Sequence, residues 1–219
     1  MATTALKQLS EQGQSPWIDY LSRPFVRGGD LQVLVDQGIE GVTSNPSIFQ
    51  AAIAEGDAYD DQLREVLKDE RDPREVFLAL AREDIREACD ILRPNFDGDK
   101  DGFVSLEVDP DLAFDTEATI KEAARLSAMV ERPNLLVKIP ATEPGLGAIE
   151  ETIAAGIPVN VTLIFSLQRH RAAAKASSTR LAPSTSRSSV GSTRPWSSIS
   201  STVSRGIVST VFGPISSST

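Results

Sequence analysis

The sequence predicts an α/β fold on a parallel sheet, and more narrowly part of a (β/α)8 barrel of the TIM type. Three observations carry that expectation. Strand-like and helix-like stretches alternate through the first 168 of 219 residues, an order that favours a parallel sheet covered by helices. The strands are two-faced: in residues 103–108 (FVSLEV), Val104, Leu106 and Val108 share one side, while Ser105 and Glu107 share the other. A barrel packs the first side on helices and carries functional side chains on the second, near its C-terminal mouth. A doubly wound sheet would bury both faces and read as continuous apolar runs. Finally, no G-x-G-x-x-G turn or P-loop occurs, so a nucleotide-binding sheet would lack its phosphate cradle.

A weak first strand is expected at residues 16–21 (PWIDYL). Residues 30–37 read as a short helix closed by Gly38, and residues 39–45 (IEGVTSN) as a strand running into Pro46. A helix restarts at 47–54, and a polar helix covers 57–69. The clearest helix is 73–92, with Phe77, Leu80, Ala81, Ile85, Ala88 and Leu92 at three- and four-residue spacing. Pro73 suits its first turn. After the strand at 103–108, residues 115–130 form an amphipathic helix with Ile120, Ala123, Ala124 and Val130 on one face. A strand at 135–140 (LLVKIP), a helix at 147–155 ended by Gly156, and a strand at 159–165 (VNVTLIF) complete the series. Strand parity sets Lys138 opposite Leu135, Val137 and Ile139, and Asn160 and Thr162 opposite Val159, Val161, Leu163 and Phe165. Thr43 and Asn45 lie opposite Val42.

A complete barrel takes roughly 250 residues, about 31 per βα unit, so the first 168 supply about five units. The composition changes at the same place. Residues 1–168 hold 31 acids and 15 Lys/Arg, net −16; residues 169–219 hold 7 Lys/Arg and no acid, net +7. That last stretch also contains 16 Ser and 6 Thr. Two parts are therefore expected: an N-terminal part of a barrel at 1–168, and a low-complexity tail at 169–219 that is disordered or out of frame.

The acidic body argues against nucleic acid or an anionic membrane as partner, since both call for clustered positive charge. One cysteine, Cys89, excludes a disulfide framework or a cysteine-based metal site and fits a reducing compartment. One histidine, His170, excludes a histidine-rich metal centre. With no apolar leader and no run of about 18 apolar residues, a soluble cytoplasmic protein is expected.

Lys138 lies inside an apolar strand, where an ammonium is costly without a partner. One reading is an amine whose surroundings favour its neutral form, so that it attacks a ketone and forms a Schiff base. The other is a lysine snorkelling from a strand end, or paired with Glu107. Glu107 and Asp19 are candidate acid/base groups, because breaking a C–C bond beside an iminium requires a hydroxyl proton to move. They read equally as a structural ion pair and as a capping or solvated loop acid. Asn45, Asn160 and Thr162 could bind substrate hydroxyls or a catalytic water, or simply fill a barrel interior. Ser44 and Ser166 are expected to cap the helices after them. Cys89 reads as an inert small hydrophobe, and His170 is assigned no role.

The segments SPWIDYLSR, GVTSNPSIF, SLEVDPDLAFD, NLLVKIPATEPGLGAI and IPVNVTLIFS together closely resemble transaldolase. The resemblance is nearest to a bacterial branch whose first strand is followed by SR and whose second ends in TSNPSIF, and it runs from about residue 15 to 168. It implies a (β/α)8 barrel without metal or organic cofactor, acting on sugar phosphates. The implied reaction moves a dihydroxyacetone unit from sedoheptulose 7-phosphate to glyceraldehyde 3-phosphate, in the non-oxidative pentose phosphate pathway. It also implies roles. Lys138 matches the Schiff-base lysine, and Asp19 the acid/base for C–C cleavage. Glu107 and Thr162 match the pair that holds the water used on the imine, and Asn45 and Asn160 the asparagines that bind substrate hydroxyls.

Past residue 168 the resemblance stops. The family continues with a helix, a sixth strand whose serine and arginine take the phosphate, and two more strands. The expectation is a frameshift near residues 168–176, which leaves a catalytically inactive fragment as the alternative to an enzyme. Another class I aldolase, for deoxyribose phosphate or fructose 6-phosphate, is a third reading.

Overall fold

The computed structural model describes residues 4–98 and 100–178 and the backbone of 211–212. Most of the tail expected from residue 169 onward lies outside the described residues. The chain divides into two compact units: Met1–Leu106 with Val130–Leu135 and Val208–Thr219, and Glu107–Met129 with Leu136–Ile207.

The first unit opens with α1 (Ala5–Glu11), capped by Thr4, and β1 (Trp17–Ile18), shorter than the expected strand. Next come α2 (Arg23–Arg27), α3 (Asp30–Gln37), β2 (Gly41–Thr43), α4 (Pro46–Ala54), α5 (Asp60–Val66), α6 (Pro73–Asp97) and β3 (Phe103–Glu107), whose last residue belongs to the second unit. α3 stops on Gly38 at φ 117°, the left-handed C-cap that its sequence called for. α5 is shorter than the 57–69 expected. α6 runs past Leu92 and through Pro94, because Phe96 is buried edge-on against Phe103, with ring centroids 5.2 Å apart. Its buried stripe includes Leu80, Ala81, Ile85, Ala88 and Leu92 as expected. Phe77 is half-buried instead, with its ring 5.6 Å from that of Phe49.

Strands β1, β2 and β3 pair in parallel, and a two-residue strand β6 (Val211–Phe212) pairs with β1. Gly41 lies under the Trp17 indole, whose ring would sit 2.2 Å from any Cβ there. The indole N–H donates to Asp101 at 2.7 Å, and Ser15 donates to the same carboxylate. Burial pushes the Asp101 carboxyl up to about 6 against these hydrogen bonds.

Arg23 is 6% exposed and Asp84 is fully buried; the two are joined at 2.9 Å. Arg23 also donates to Gln62 and to the Leu80 carbonyl, and its guanidinium lies 4.4 Å from the Tyr59 ring centroid. The Tyr59 hydroxyl accepts from the Arg23 backbone N–H at 2.7 Å. One buried cation thus ties α2, α5 and α6 together. Burial raises the pKa of both Asp84 and Tyr59.

The second unit holds a 3-10 turn (Pro110–Leu112), α7 (Thr116–Val130) up to Met129, β4 (Leu135–Pro140) from Leu136, α8 (Glu143–Ala154), β5 (Val159–Thr162) and α9 (Leu167–Ser177). β4 and β5 pair in parallel. α7 packs through Thr119, Ala123 and Leu126, while Ala124, expected on that face, is exposed and Ile120 half-buried. The 3.6-residue period explains this: positions 119, 123 and 126 stack, and Ala124 rotates outward. α8 begins before the expected residue 147, since Thr142 caps it by accepting from Gly145 N–H at 3.0 Å. A Cβ on Gly145 would stand 2.2 Å from the Pro140 carbonyl oxygen. β5 ends at Thr162, short of the expected Phe165, because Leu163 turns to a left-handed φ of 60°. Ser166 caps α9 as expected, accepting from Arg169 N–H at 3.1 Å. α9 runs across residue 168 and buries Ala173 and Ala176.

Five strands thus make a parallel sheet with helices alternating between them, consistent with part of an α/β barrel. Among the described residues, no helix is long and apolar enough to cross a membrane.

Candidate active site

Four of the six expected site residues lie in the second unit: Glu107 and Thr162 end β3 and β5, while Lys138 and Asn160 lie within β4 and β5. Parallel register puts Lys138 beside Asn160 and Pro140 beside Thr162. The backbone N–H of Val108 donates to the Lys138 carbonyl at 3.1 Å, which brings the end of β3 alongside β4. Glu107 and Lys138 therefore share a face, and Lys138 Nζ stands 3.1 Å from Glu107 Oε2. Their side chains are 15% and 17% exposed. Leu135, Val137 and Ile139, on the other face of β4, are buried, so the predicted parity holds. Asn160 is half-buried. Thr162 Oγ1 is buried without a hydrogen-bond partner, while its carbonyl accepts from Ala141 N–H at 2.8 Å.

Asp19 and Asn45 belong to the first unit. Asp19 follows β1 directly and is half-buried, with Oδ1 shielded from solvent. Asn45 caps α4: its Oδ1 accepts from Ser47 N–H at 3.0 Å. The cap was expected from Ser44. That serine is buried, and its hydroxyl instead donates to the Ser105 carbonyl at 2.9 Å, which also receives the Ser44 N–H. The reason is local: Pro46 fits the first helical turn, which leaves the capping position to Asn45.

Lys138 and Glu107 thus set an amine and a carboxylate 3.1 Å apart, both largely screened from water, which are the residue types that Schiff-base chemistry calls for. Among the described residues, no group of three or more His, Cys, Asp or Glu could hold a metal ion. Cys89 is fully buried, and burial pushes its thiol up to about 12, which suits an inert core position. His170 is exposed on α9.

Residues 16–205 match the family model described as transaldolase/fructose-6-phosphate aldolase. The chain belongs to this family. It is 54% identical over 172 residues to "Transaldolase 2" of Streptomyces coelicolor, covering 77% of this chain and 46% of that protein. To "Transaldolase" of Thermobifida fusca it is 52% identical over 170 residues (76% and 46%). To "Transaldolase" of Mycobacterium ulcerans it is 50% identical over 169 (76% and 45%). The chain spans just under half the length of these curated relatives. The family match extends to residue 205, beyond the motifs that end near 168.

Proposed function

We propose that this family member carries the Schiff-base chemistry of a transaldolase, working in the cytoplasm on sugar phosphates without a metal or organic cofactor. The observation that carries the reading is the pairing of Lys138 with Glu107 at 3.1 Å, on the polar face of a strand whose other face is buried. In its neutral form, Lys138 Nζ adds to the C2 carbonyl of a ketose phosphate, and loss of water leaves a protonated imine. Asp19 takes the proton of the C4 hydroxyl, the C3–C4 bond breaks, and its electrons flow into the imine to give an enamine. The aldose phosphate leaves. The enamine then attacks the carbonyl of an incoming aldose phosphate, and Asp19 returns the proton to the new hydroxyl. Glu107 and Thr162 hold the water that hydrolyses the imine. Asn160, beside Lys138 in register, and Asn45 bind substrate hydroxyls; because Asn45 Oδ1 is engaged by the helix cap, its amide NH2 is the group available.

The test is borohydride trapping. The purified chain is incubated with fructose 6-phosphate and borohydride, and the Lys138 peptide is examined for a reduced three-carbon adduct. The expected result is that adduct, with glyceraldehyde 3-phosphate released and no adduct in Lys138→Ala. A soluble, folded chain that yields none contradicts the reading. Because the family includes fructose-6-phosphate aldolases, the acceptor decides between activities: a transaldolase holds the unit until an aldose phosphate arrives, whereas an aldolase releases free dihydroxyacetone.

A second reading is favoured by composition: a catalytically silent fragment whose tail comes from another reading frame. No Asp or Glu follows Glu151, although 31 precede or occupy that position. The family match through residue 205 weighs against it. Resequencing the gene tests it, since an unbroken frame through residues 168–176 removes the basis for this reading.

A further inference from the structure

We infer that Thr142 and Thr116 are positioning residues for Lys138 and Glu107, their hydroxyls clasping the loops that follow β4 and β3. The inference rests on the Schiff-base reading above and stays within the second unit. Glu107 ends β3, and Lys138 lies two residues before the end of β4, so each stands close to the loop that follows its strand. Thr142 donates its hydroxyl to the Ala113 carbonyl, in the loop after β3, and accepts from Gly145 N–H at 3.0 Å. Thr116, at the start of α7, donates the other way, to the Pro144 carbonyl in the first turn of α8, at 2.8 Å. The two bonds are reciprocal, each loop reaching the backbone of the other.

Helix capping alone does not account for Thr142. A cap needs only an acceptor, which Asp, Asn or Ser supplies equally well. The hydroxyl proton goes instead to the neighbouring loop. The two bonds span 28 and 29 positions, so neither belongs to a local turn. The backbone leaves room for both. A Cβ on Gly145 would stand 2.8 Å from Thr142 Oγ1, and one on Gly147 would stand 3.3 Å from Thr116 Cγ2. Glycine at these two places lets α8 approach closely enough for the clasp to form. Within the sheet, Val108 N–H donates to the Lys138 carbonyl at 3.1 Å and holds the two backbones together. The clasp holds the segments beyond, next to the place where Lys138 and Glu107 meet at 3.1 Å. Reacting groups lose rate steeply when they are slightly misplaced, so a clasp of this kind acts on the rate of the step more than on affinity.

The test uses Thr142→Val, Thr142→Ser, Thr142→Asp and Thr116→Val in the full chain, with two readouts corrected for the folded fraction. One is the yield of a zero-length carbodiimide crosslink between Lys138 and Glu107, which depends on their contact and not on turnover. The other is cyanoborohydride trapping of dihydroxyacetone on Lys138, followed against ketone concentration. Both valine variants should lower the crosslink yield and slow the maximum trapping rate roughly threefold to tenfold, the worth of one hydrogen bond, with the half-saturating concentration held within about twofold. Thr142→Ser should restore both readouts. Thr142→Asp keeps the cap but has no proton to give, so it should hold the melting temperature and stay slow. Unchanged crosslinking and maximum rate in the folded valine variants overturn the inference. So does a change confined to the half-saturating concentration, or full rescue by Thr142→Asp. If Thr142→Val does not fold, Thr116→Val decides the question by the same readouts. If the wild type crosslinks but traps no ketone, the Schiff-base reading falls, while the crosslink yields of the variants still decide the clasp.

Discussion

Among the described residues, each unit of the molecule holds a pair of opposite charges drawn largely out of water: Arg23 with Asp84 at 2.9 Å, and Lys138 with Glu107 at 3.1 Å. The distances are nearly the same, but the surroundings are not. Arg23 is held by a carboxylate, a side-chain amide, a backbone carbonyl and a tyrosine face, and Asp84 is sealed from solvent. Such a pair is held from several sides, and its energy goes into fixing three helices. Lys138 is a point charge with three donors, of which Glu107 takes one direction, and it keeps 15% of its side chain exposed. The contrast separates a charge held from many sides from a charge that the proposed chemistry would use.

The largest effect that tests this contrast is functional. Lys138→Met should abolish the borohydride-trapped adduct while moving the urea midpoint by no more than about 1 kcal/mol, because Glu107 can take up water. A collapse of stability in that variant would place both pairs in the same class. Next in size is Asp84→Ala. It strands a buried guanidinium and should cost about 3–5 kcal/mol in urea denaturation. A loss near that of Lys138→Met would erase the distinction.

Much of this contrast was legible in the sequence for one pair and hidden for the other. Lys138 announced itself because a charge interrupts the alternation of LLVKIP, and strand parity placed it opposite three apolar residues that are indeed buried. Arg23 and Asp84 lie 61 positions apart, and Asp84 sits on the otherwise apolar stripe of α6, so only the packing of α2 on α6 reveals why an acid stands there. Helix centres followed from periodicity, while their ends often did not. The start of α8 depends on Thr142 and the end of β5 on the backbone of Leu163, both local choices that hydrophobic patterning does not encode. Thr43 was legible on the face of Asn45, opposite Val42, but that its buried hydroxyl lacks a hydrogen-bond partner is a property of the folded strand.

Asp101 in the first unit refines the comparison because, among the described residues, it has hydrogen bonds but no cation partner. Its folded pKa of about 6 lies above the roughly 3.9 of an unfolded aspartate. Between those values the folded chain holds a proton that the unfolded chain has lost. Its contribution to stability is therefore full below about pH 4 and is lost as pH rises through about 6. The wild type should gain about 1–3 kcal/mol relative to Asp101→Asn as pH falls from 7.5 to 4.5. Parallel stability profiles for the two proteins would show that Ser15 and Trp17 already hold the carboxylate as well as a cation would.

The smallest effect marks the other limit of the comparison. Arg64 touches Asp60 at 2.9 Å, the same separation as Arg23 and Asp84, but these side chains are 67% and 49% exposed. Water competes for both charges, and ordering two mobile side chains offsets most of what attraction remains. Arg64→Ala should shift the urea midpoint by roughly 0.5 kcal/mol or less. Moderate salt should abolish the difference, because exposed charges are screened within about 10 Å. If Arg64→Ala instead approached the cost of Asp84→Ala, separation and not burial would rank the ion pairs of this chain. Lys138 and Glu107, at 3.1 Å, would then belong with the structural pairs.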